Sequence, residues 1–421
     1  MSHSNEPVRS VKGMNDVLPA DAPLWQRVEA ISHEVLSSFG FREIRTNILE
    51  PTRLFSRSVG EATDIVEKEM YTFSDRSGES LTLRPEGTAG VVRAYIEHKL
   101  HTEDRISKLW YLGPMYRHER PQRGRFRQFH QVGAEILGGA EPAIDVTIIA
   151  LVDTLLERLG IRKKVSLEIS TLGDMESRIA FRAAIQNHFR PLIGGFCADC
   201  QRRIDTNPLR ILDCKVDMDK TGGAPSGLDF LNDPSRRHFE TVKHGLASAG
   251  VRHIINPRIV RGLDYYCHTV FEFVSQELGA QGTVAAGGRY DGLVEELGGP
   301  PTPGMGFAAG IERLVDLART AGFTADEPGP AVFLVSVGEK ARHETQRLAL
   351  ALCREGIPAG IDYGAKSLKS QMRYADRLKA KYVAVLGDSE LESGKTRLKL
   401  MSDGTEREIR LDNLAVELRK G

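Results

Sequence analysis

At 421 residues the chain has room for two or three domains, and its 57 basic and 57 acidic residues cancel. No global field marks a polyanion partner, so any nucleic-acid binding must rest on local patches. Five cysteines, an odd number in a long chain, argue against a disulfide framework and for a reducing compartment. Residues 1–7 lack the apolar core of a signal peptide, and no run approaches the roughly 18 apolar residues of a membrane span, so the expectation is a cytoplasmic protein without a membrane partner.

Trp25, Val28, Ile31, Val35 and Leu36 recur at helical spacing and predict an amphipathic helix over 25–39, with Gly40 at its C-terminal end. Residues 42–48 read as a strand closed by Pro51. Strands at 71–73 and 81–83 flank the turn Asp75-Arg-Ser-Gly78, a hairpin signal. Helical spacing resumes over 91–100. Strands at 109–112 and 131–136 enclose an arginine-rich loop, and 144–159 is a long apolar-periodic helix. About residues 174–250 are mainly helical, broken by Cys197 and Cys200, Asn207-Pro208 and the Gly/Pro-rich stretch 221–227. This predicts a helical insertion between strand-rich segments, because strand signals return at 270–274 and 283–286 and a helix follows at 310–321. The Pro/Gly/acid stretch 324–330 is a predicted domain boundary. Beyond it, strand 332–337, helix 341–354, strand 359–363, helix 368–378 and strand 382–386 alternate, which predicts a small sheet with helices packed on it.

The densest chemical signal is Arg117-His-Glu-Arg-Pro-Gln-Arg-Gly-Arg-Phe-Arg-Gln-Phe-His130, with five arginines against one acid. A solvated basic loop is the ordinary explanation. Five like charges between two strands repel one another and favour an anionic partner, and Phe126 and Phe129 offer stacking surfaces. Arg84-Pro-Glu-Gly-Thr88 ends a strand with a carboxylate and a hydroxyl suited to an ammonium group. Arg261-Gly-Leu-Asp-Tyr-Tyr266 groups an arginine, an acid and two tyrosines. Ala286-Gly-Gly-Arg-Tyr-Asp-Gly292 lets backbone approach a ligand, and Gly304-Met-Gly-Phe-Ala-Ala-Gly-Ile-Glu-Arg313 runs from glycines into a helix. Singly, each is as well explained by a turn, a surface pair, a hairpin or helix packing. The last also fits G-x-G-x-x-A, but its run-in 298–303 is not a strand, so a dinucleotide reading fails. Cys197-x-x-Cys200 with Cys214 raises zinc, and His188 or His238 could complete a set. One pair and a lone cysteine are a weak signal, so buried free thiols and no metal are expected. Lys366, Lys369, Arg373 and Arg377 line one helical face, a solvated face by default and a phosphate-tracking one if the chain acts on RNA.

Together these clusters resemble the bacterial histidyl-tRNA synthetase family, along nearly the whole chain. The arginine-rich segment is similar to class II motif 2 and 304–314 to motif 3. Residues 261–266 and 287–293 resemble two signatures peculiar to the histidine enzymes, and 42–60 occupy the place of motif 1. The resemblance implies an α+β fold: an antiparallel-sheet catalytic domain over 1–325 with the helical insertion, and an α/β anticodon-binding domain over 331–421. It implies a homodimer that uses ATP with Mg²⁺, without a tightly bound cofactor, to convert L-histidine to histidyl-adenylate and transfer it to the 3′ end of tRNA(His). By resemblance Arg117 binds the α-phosphate, Arg313 the γ-phosphate, and Arg125 is a further triphosphate contact. Glu119 meets the adenine amino group and Phe129 stacks on the ring. Glu86, Gly87 and Thr88 hold the α-ammonium, with Gln131 nearby. Glu135 and Tyr266 read the imidazole, with Tyr265 and Tyr290 lining the pocket, and Arg261 stabilises charge in the transition state. Arg120 and Gln122 are candidates for the tRNA acceptor end, and Lys369, Arg373 and Arg377 for the rest of the tRNA. The rival is a non-catalytic regulatory subunit of ATP phosphoribosyltransferase, which resembles the catalytic core but lacks the C-terminal domain.

Overall fold

The computed structural model describes residues 7–60, 63, 65–122, 124–214, 216–259, 261–325, 328–364 and 366–420. Arg123 of the arginine-rich segment and Asp326 and Glu327 of the linker therefore lie outside the described residues. The chain divides into two compact units, Met1–Ala325 and Asp326–Gly421.

The first unit runs α1 (Ala22–Ser38), β1 (Arg42–Glu43), β2 (Leu49–Pro51), α2 (Thr52–Val59), β3 (Tyr71–Ser74), β4 (Ser80–Leu83), α3 (Thr88–Glu97), β5 (Ser107–Tyr116), β6 (Gln128–Leu137) and α4 (Pro142–Arg158). It continues with β7 (Ser166–Thr171), α5 (Met175–Phe189), α6 (Ala198–Thr206), α7 (Asp233–Ser248), β8 (Ile254–Ile255), β9 (Cys267–Val274), β10 (Thr283–Arg289), α8 (Leu293–Glu296), β11 (Gly304–Gly310) and α9 (Ile311–Thr320). Eight strands form one sheet in the order β1-β5-β6-β11-β10-β9-β7-β8. It is antiparallel from β5 to β7, with β1 and β8 added parallel at the two edges. β2, β4 and β3 make a separate small sheet.

Side-chain alternation gives the main sheet two different faces. Val132, Ala134 and Ile136 of β6, Met305, Phe307 and Ala309 of β11, and Phe271 and Phe273 of β9 point into one core. That core is shared with α1, α4, α7 and α9. The intervening residues, Gln131, Gly133 and Glu135 on β6, Gly306 and Ala308 on β11, and Glu272 on β9, project to the opposite face. In α4, Ile148, Leu151, Val152 and Leu155 are fully buried at helical spacing. Truncating one of them, such as Leu155→Ala, costs about 2–5 kcal/mol.

Between β7 and β8 the chain is helical and carries its own small core of Phe181, Ile185, Phe189, Phe196, Cys200, Ile204 and Ile211. Asp174 caps α5 by accepting from the Ser177 N–H, and Asn232 caps α7 by accepting from the Ser235 N–H. The Asn232 amide also donates to Asp174 at 2.7 Å, so the two helix starts are tied together.

Several elements differ from expectation. Of the strand predicted over 42–48 only β1 forms, and β2 begins beyond it at Leu49; in between, the Thr46 carbonyl accepts from the Arg84 guanidinium at 3.2 Å rather than from a neighbouring strand. Strand β7 has no counterpart among the expected elements, although Leu167 and Ile169 alternate cleanly into the core. The glycine run 304–310 is a strand, and helix α9 begins at Ile311.

The second unit holds β12 (Val332–Ser336), α10 (Glu339–Arg354), β13 (Ala359–Ile361), α11 (Leu368–Arg377), β14 (Tyr382–Leu386), α12 (Asp388–Ser393), β15 (Lys395–Leu400), β16 (Glu406–Arg410) and α13 (Leu414–Arg419). Its sheet order is β13-β12-β14-β15-β16, parallel among the first three and antiparallel beyond. Val332 and Leu334 pack with α10 and α13, while Phe333 and Val335 pack against α11. Helix α11 is locked by the buried Gln371 amide, which accepts from the Ser336 N–H at 3.0 Å and donates to the Ser336 carbonyl at 2.8 Å.

Candidate active site

The open face of the main sheet carries a cleft lined by β6, β10, β11, the loop after β5, and the segment before β9. Glu86, Thr88, Arg117, Glu119, Arg125, Phe129, Gln131, Arg261, Tyr265, Tyr266, Tyr290 and Arg313 all line it. Residues far apart in the chain thus meet because antiparallel pairing places Gly306 beside Glu135 and Gly310 beside Gln131.

At the inner end Glu135 is fully buried. Its two carboxyl oxygens accept from the Thr88 hydroxyl at 2.8 Å and from the Tyr290 hydroxyl at 2.5 Å. Burial dominates over those hydrogen bonds and pushes its pKa up to about 8. The absence of a side chain at Gly306 is obligatory, since a Cβ there would lie 1.6 Å from a Glu135 oxygen. Tyr265 stands 4.7 Å from the Tyr266 ring and 5.7 Å from the Tyr290 ring, so three aromatic rings wall this end. Tyr290 is the tyrosine bonded to Glu135, whereas Tyr266 lies under the Arg261 guanidinium, 5.5 Å from ring centre to its carbon. Glu86 accepts from the backbone N–H groups of Thr88 and Ala89 at 2.7 and 2.8 Å, which fixes it at the start of α3.

The outer end is cationic. The Arg117 Nε–H donates to the Pro85 carbonyl at 2.8 Å, and its guanidinium sits 5.3 Å from the Phe129 ring centre. Arg313 donates to the carbonyls of Gly124 (3.1 Å) and Thr283. Arg261 pairs with Glu272, which also accepts from the Thr283 hydroxyl at 3.1 Å. Arg125 pairs with Glu119 and lies 3.6 Å from Glu69. Burial lowers the pKa of both Arg117 and Arg313, and neighbouring guanidinium groups lower it further. Four arginines held this close, two of them partly anchored by neutral carbonyls, form a preorganised seat for a polyanion. The buried Arg261 Nε and Gln131 Oε1 have no hydrogen-bond partner among the described residues, and both belong to residues of the cleft wall.

Other expected residues fall elsewhere. Gly87 is not in the cleft wall; it makes room for the Tyr111 ring, whose atoms would lie 2.2 Å from a Cβ there. Arg120 and Gln122 are exposed on the loop between β5 and β6. Lys369, Arg373 and Arg377 are exposed on α11, in the second unit, with Arg377 stacked on Tyr374 at 4.9 Å. Arg289, inside a cluster predicted to approach a ligand, is instead wholly buried. It pairs with Asp145 at 2.8 Å and donates to the Gly139 and Glu141 carbonyls.

Three contributors escaped the sequence. Glu272 positions Arg261, but inside Phe271-Glu-Phe273 it reads as the solvent side of a strand. Glu312 accepts from the His130 N–H at 2.9 Å and lines the cleft, although it looks like a first-turn helix acid. Thr283 orients both Glu272 and Arg313. Only the period-two register of β9 and β10 could have signalled the first and last.

The family model described as histidyl-tRNA synthetase matches residues 13–188 and 233–314, and the model described as anticodon binding domain matches 331–421. The chain is 50% identical over 407 residues to histidine–tRNA ligase of Trichlorobacter lovleyi, with 96% of each chain covered. It is also 50% identical over 410 residues to that of Geobacillus kaustophilus, again with 96% of each covered. The crystal structure of the apo histidyl-tRNA synthetase of S. aureus superposes with a TM-score of 0.84 at 39% identity, covering 98% of this chain and all of that one.

Proposed function

The chain belongs to the histidyl-tRNA synthetase family and joins histidine to tRNA in an ATP-dependent reaction, and from that premise we propose how its own residues divide the work. The observation that carries the proposal is a single cleft with a cluster of four arginines at one end and a buried Glu135–Tyr290 pair at the other. One end suits a triphosphate; the other suits a small ring with two distinct nitrogens.

Histidine enters with its imidazole against Glu135, Tyr290 and Tyr266. A site built to pair both ring nitrogens rejects analogues lacking them, because its own buried groups would be left unpaired. Glu86, Gln131 and the Thr88 hydroxyl surround the α-ammonium. The triphosphate lies across Arg117, Arg125 and Arg313, with adenine on Phe129 and its amino group at Glu119. Arg125 exchanges its carboxylate partner for phosphate as ATP arrives. Mg²⁺ enters with the β- and γ-phosphates as part of the substrate.

In the first step a histidine carboxylate oxygen forms a bond to the α-phosphorus. The bond from that phosphorus to the β-bridging oxygen breaks, and pyrophosphate leaves with the electron pair. Charge grows on the non-bridging oxygens, where Arg261 and Arg117 meet it without reorganising, Arg261 being held by Glu272. In the second step a terminal ribose hydroxyl of the tRNA attacks the carbonyl carbon and AMP departs. The hydroxyl proton passes to a phosphate oxygen of the adenylate. Arg120 and Gln122 meet the acceptor end, and the basic face of α11 meets the anticodon side. Two chains pair through the 42–60 region, and the enzyme works in the cytoplasm, where its five cysteines stay reduced.

Arg261→Ala tests the assignment. Adenylate formation should fall about a hundredfold to a thousandfold, with histidine affinity largely kept. Loss of histidine binding alone would refute the charge-stabilising role. The regulatory-subunit reading is weaker, because the anticodon-binding domain is present and Arg117, Arg261 and Arg313 stand together at the cleft.

A further inference from the structure

The helical segment between β7 and β8 contains a second cluster of reactive groups, remote from the cleft in chemistry and lying in residues 189–232, which the synthetase family model leaves unmatched. Cys197, Cys200, Cys214 and Asp217 place one potential ligand atom each within 4.8 Å of all the others. We propose that these four residues bind one Zn²⁺ that staples the insertion.

The distances fit. Tetrahedral zinc with Zn–S of about 2.3 Å separates two sulfurs by about 3.8 Å, and a sulfur from a carboxylate oxygen by about 3.5 Å. Cys197 Sγ and Cys214 Sγ are 3.7 Å apart, and Cys214 Sγ is 3.6 Å from Asp217 Oδ2. Two packed thiols can also approach this closely. Thiol packing alone does not call for a fully buried carboxylate turned toward three sulfurs, and here Asp217 is 0% exposed. Its orientation is built from both sides. Oδ2 accepts the Cys197 backbone N–H at 2.9 Å, and Oδ1 is engaged by Lys220 at 2.9 Å, which leaves Oδ2 to face the cysteines. Lys220 also offsets part of the negative charge of three thiolates and a carboxylate, the role of an outer-shell partner. Cys197 is the N-cap of α6 and Cys200 lies in its first turn, so one helix start presents both sulfurs. Cys200 and Cys214 are buried, and all three cysteines are free of disulfides. The two histidines that could have completed a set are occupied elsewhere: His238 meets Asp145 at 3.1 Å and His188 packs on Phe189. The fourth ligand is Asp217, and the proposal reverses the sequence-based expectation of free thiols.

A staple has a purpose here. The core of the insertion is small, and small cores commonly need a crosslink or metal. The loop between Cys200 and Cys214 also carries Asn207, which donates to Asp264 at 2.6 Å, and Arg210, which reaches the Arg261 carbonyl at 3.4 Å. A metal that fixes the base of this loop therefore supports the segment bearing Arg261. That consequence rests on the catalytic reading of Arg261, while metal binding itself does not.

The test is elemental analysis of the full-length protein purified without chelator, together with Co²⁺ uptake by protein stripped of metal. The expected result is one zinc per chain and a thiolate-to-cobalt charge-transfer band. Cys200→Ser and Cys214→Ser should each lose the metal, and Asp217→Asn should release zinc to a chromogenic chelator many times faster while remaining folded by circular dichroism. Arg261→Ala should keep its zinc, so failure of the catalytic reading would leave this result standing. Protein that is well folded, holds no zinc and develops no cobalt band overturns the proposal, as does a Cys197–Cys214 disulfide in protein purified under reducing conditions.

Discussion

Replacing Glu135 with glutamine isolates the contribution of the buried carboxyl. In the folded chain burial raises its pKa from 4.5 to about 8. The native state therefore keeps a proton that the unfolded chain releases, and stability declines as pH rises between those two values and levels off above the upper one. The full displacement corresponds to about 5 kcal/mol at ~1.4 kcal/mol per pH unit, and roughly 3 kcal/mol of it falls between about pH 6 and pH 9. Glutamine keeps the shape and can still pair with Thr88 and Tyr290, but it cannot ionise. Urea unfolding followed by tryptophan fluorescence reports on this unit, because the chain's two tryptophans, Trp25 and Trp110, both belong to its core. The parent should lose about 3 kcal/mol more than Glu135→Gln between those pH values. Equal losses in the two proteins would refute a buried, proton-holding Glu135. Histidine affinity should fall about threefold to tenfold in the variant near neutral pH, the cost of losing one hydrogen bond from an uncharged carboxyl.

Gly306→Ala should abolish histidine binding while ATP still binds, because the new methyl would occupy the place of a Glu135 oxygen; calorimetry with each ligand separates the two. Asp145→Ala should destabilise the catalytic unit by about 3 kcal/mol in urea unfolding, since it removes the fully buried partner of Arg289 and leaves that guanidinium only Asp291, at 3.1 Å. Reversing the charges of Lys369, Arg373 and Arg377 together should raise KM for tRNA and flatten its salt dependence by about 0.7–0.9 per lost phosphate contact. Pyrophosphate exchange should be untouched; a fall in exchange would mean that the helix serves the catalytic unit.

The elements most legible in the sequence were those with a clean period. Helix α4 was read within two residues at its N-terminal end and one at its C-terminal end, and β14 was read to the residue, because their apolar spacing has no competing explanation. Strand β11 was obscured because glycine and alanine alternate with Met305, Phe307 and Ala309, and small residues carry little hydrophobic signal even where they are required to keep a surface open. The hairpin of β15 and β16 was missed for the opposite reason. Its strands are rich in charge, as suits a sheet edge, and are held partly by cross-strand pairs such as Lys395–Glu408 at 2.7 Å. In the site, arginines announced themselves by density. Glu272, Glu312 and Thr283 did not, since their work is to orient other side chains across a sheet register that a linear reading does not display. Asp217 was invisible for the same reason: its partners Cys197 and Cys200 lie on the far side of a loop.

Amino-acid-dependent exchange of pyrophosphate into ATP, measured without tRNA across the amino acids, tests the central claim most directly. Exchange should depend on histidine, should be negligible with amino acids that lack an imidazole, and should collapse in Arg261→Ala. Well-folded protein with no histidine-dependent exchange, or with exchange supported equally by another amino acid, would contradict it.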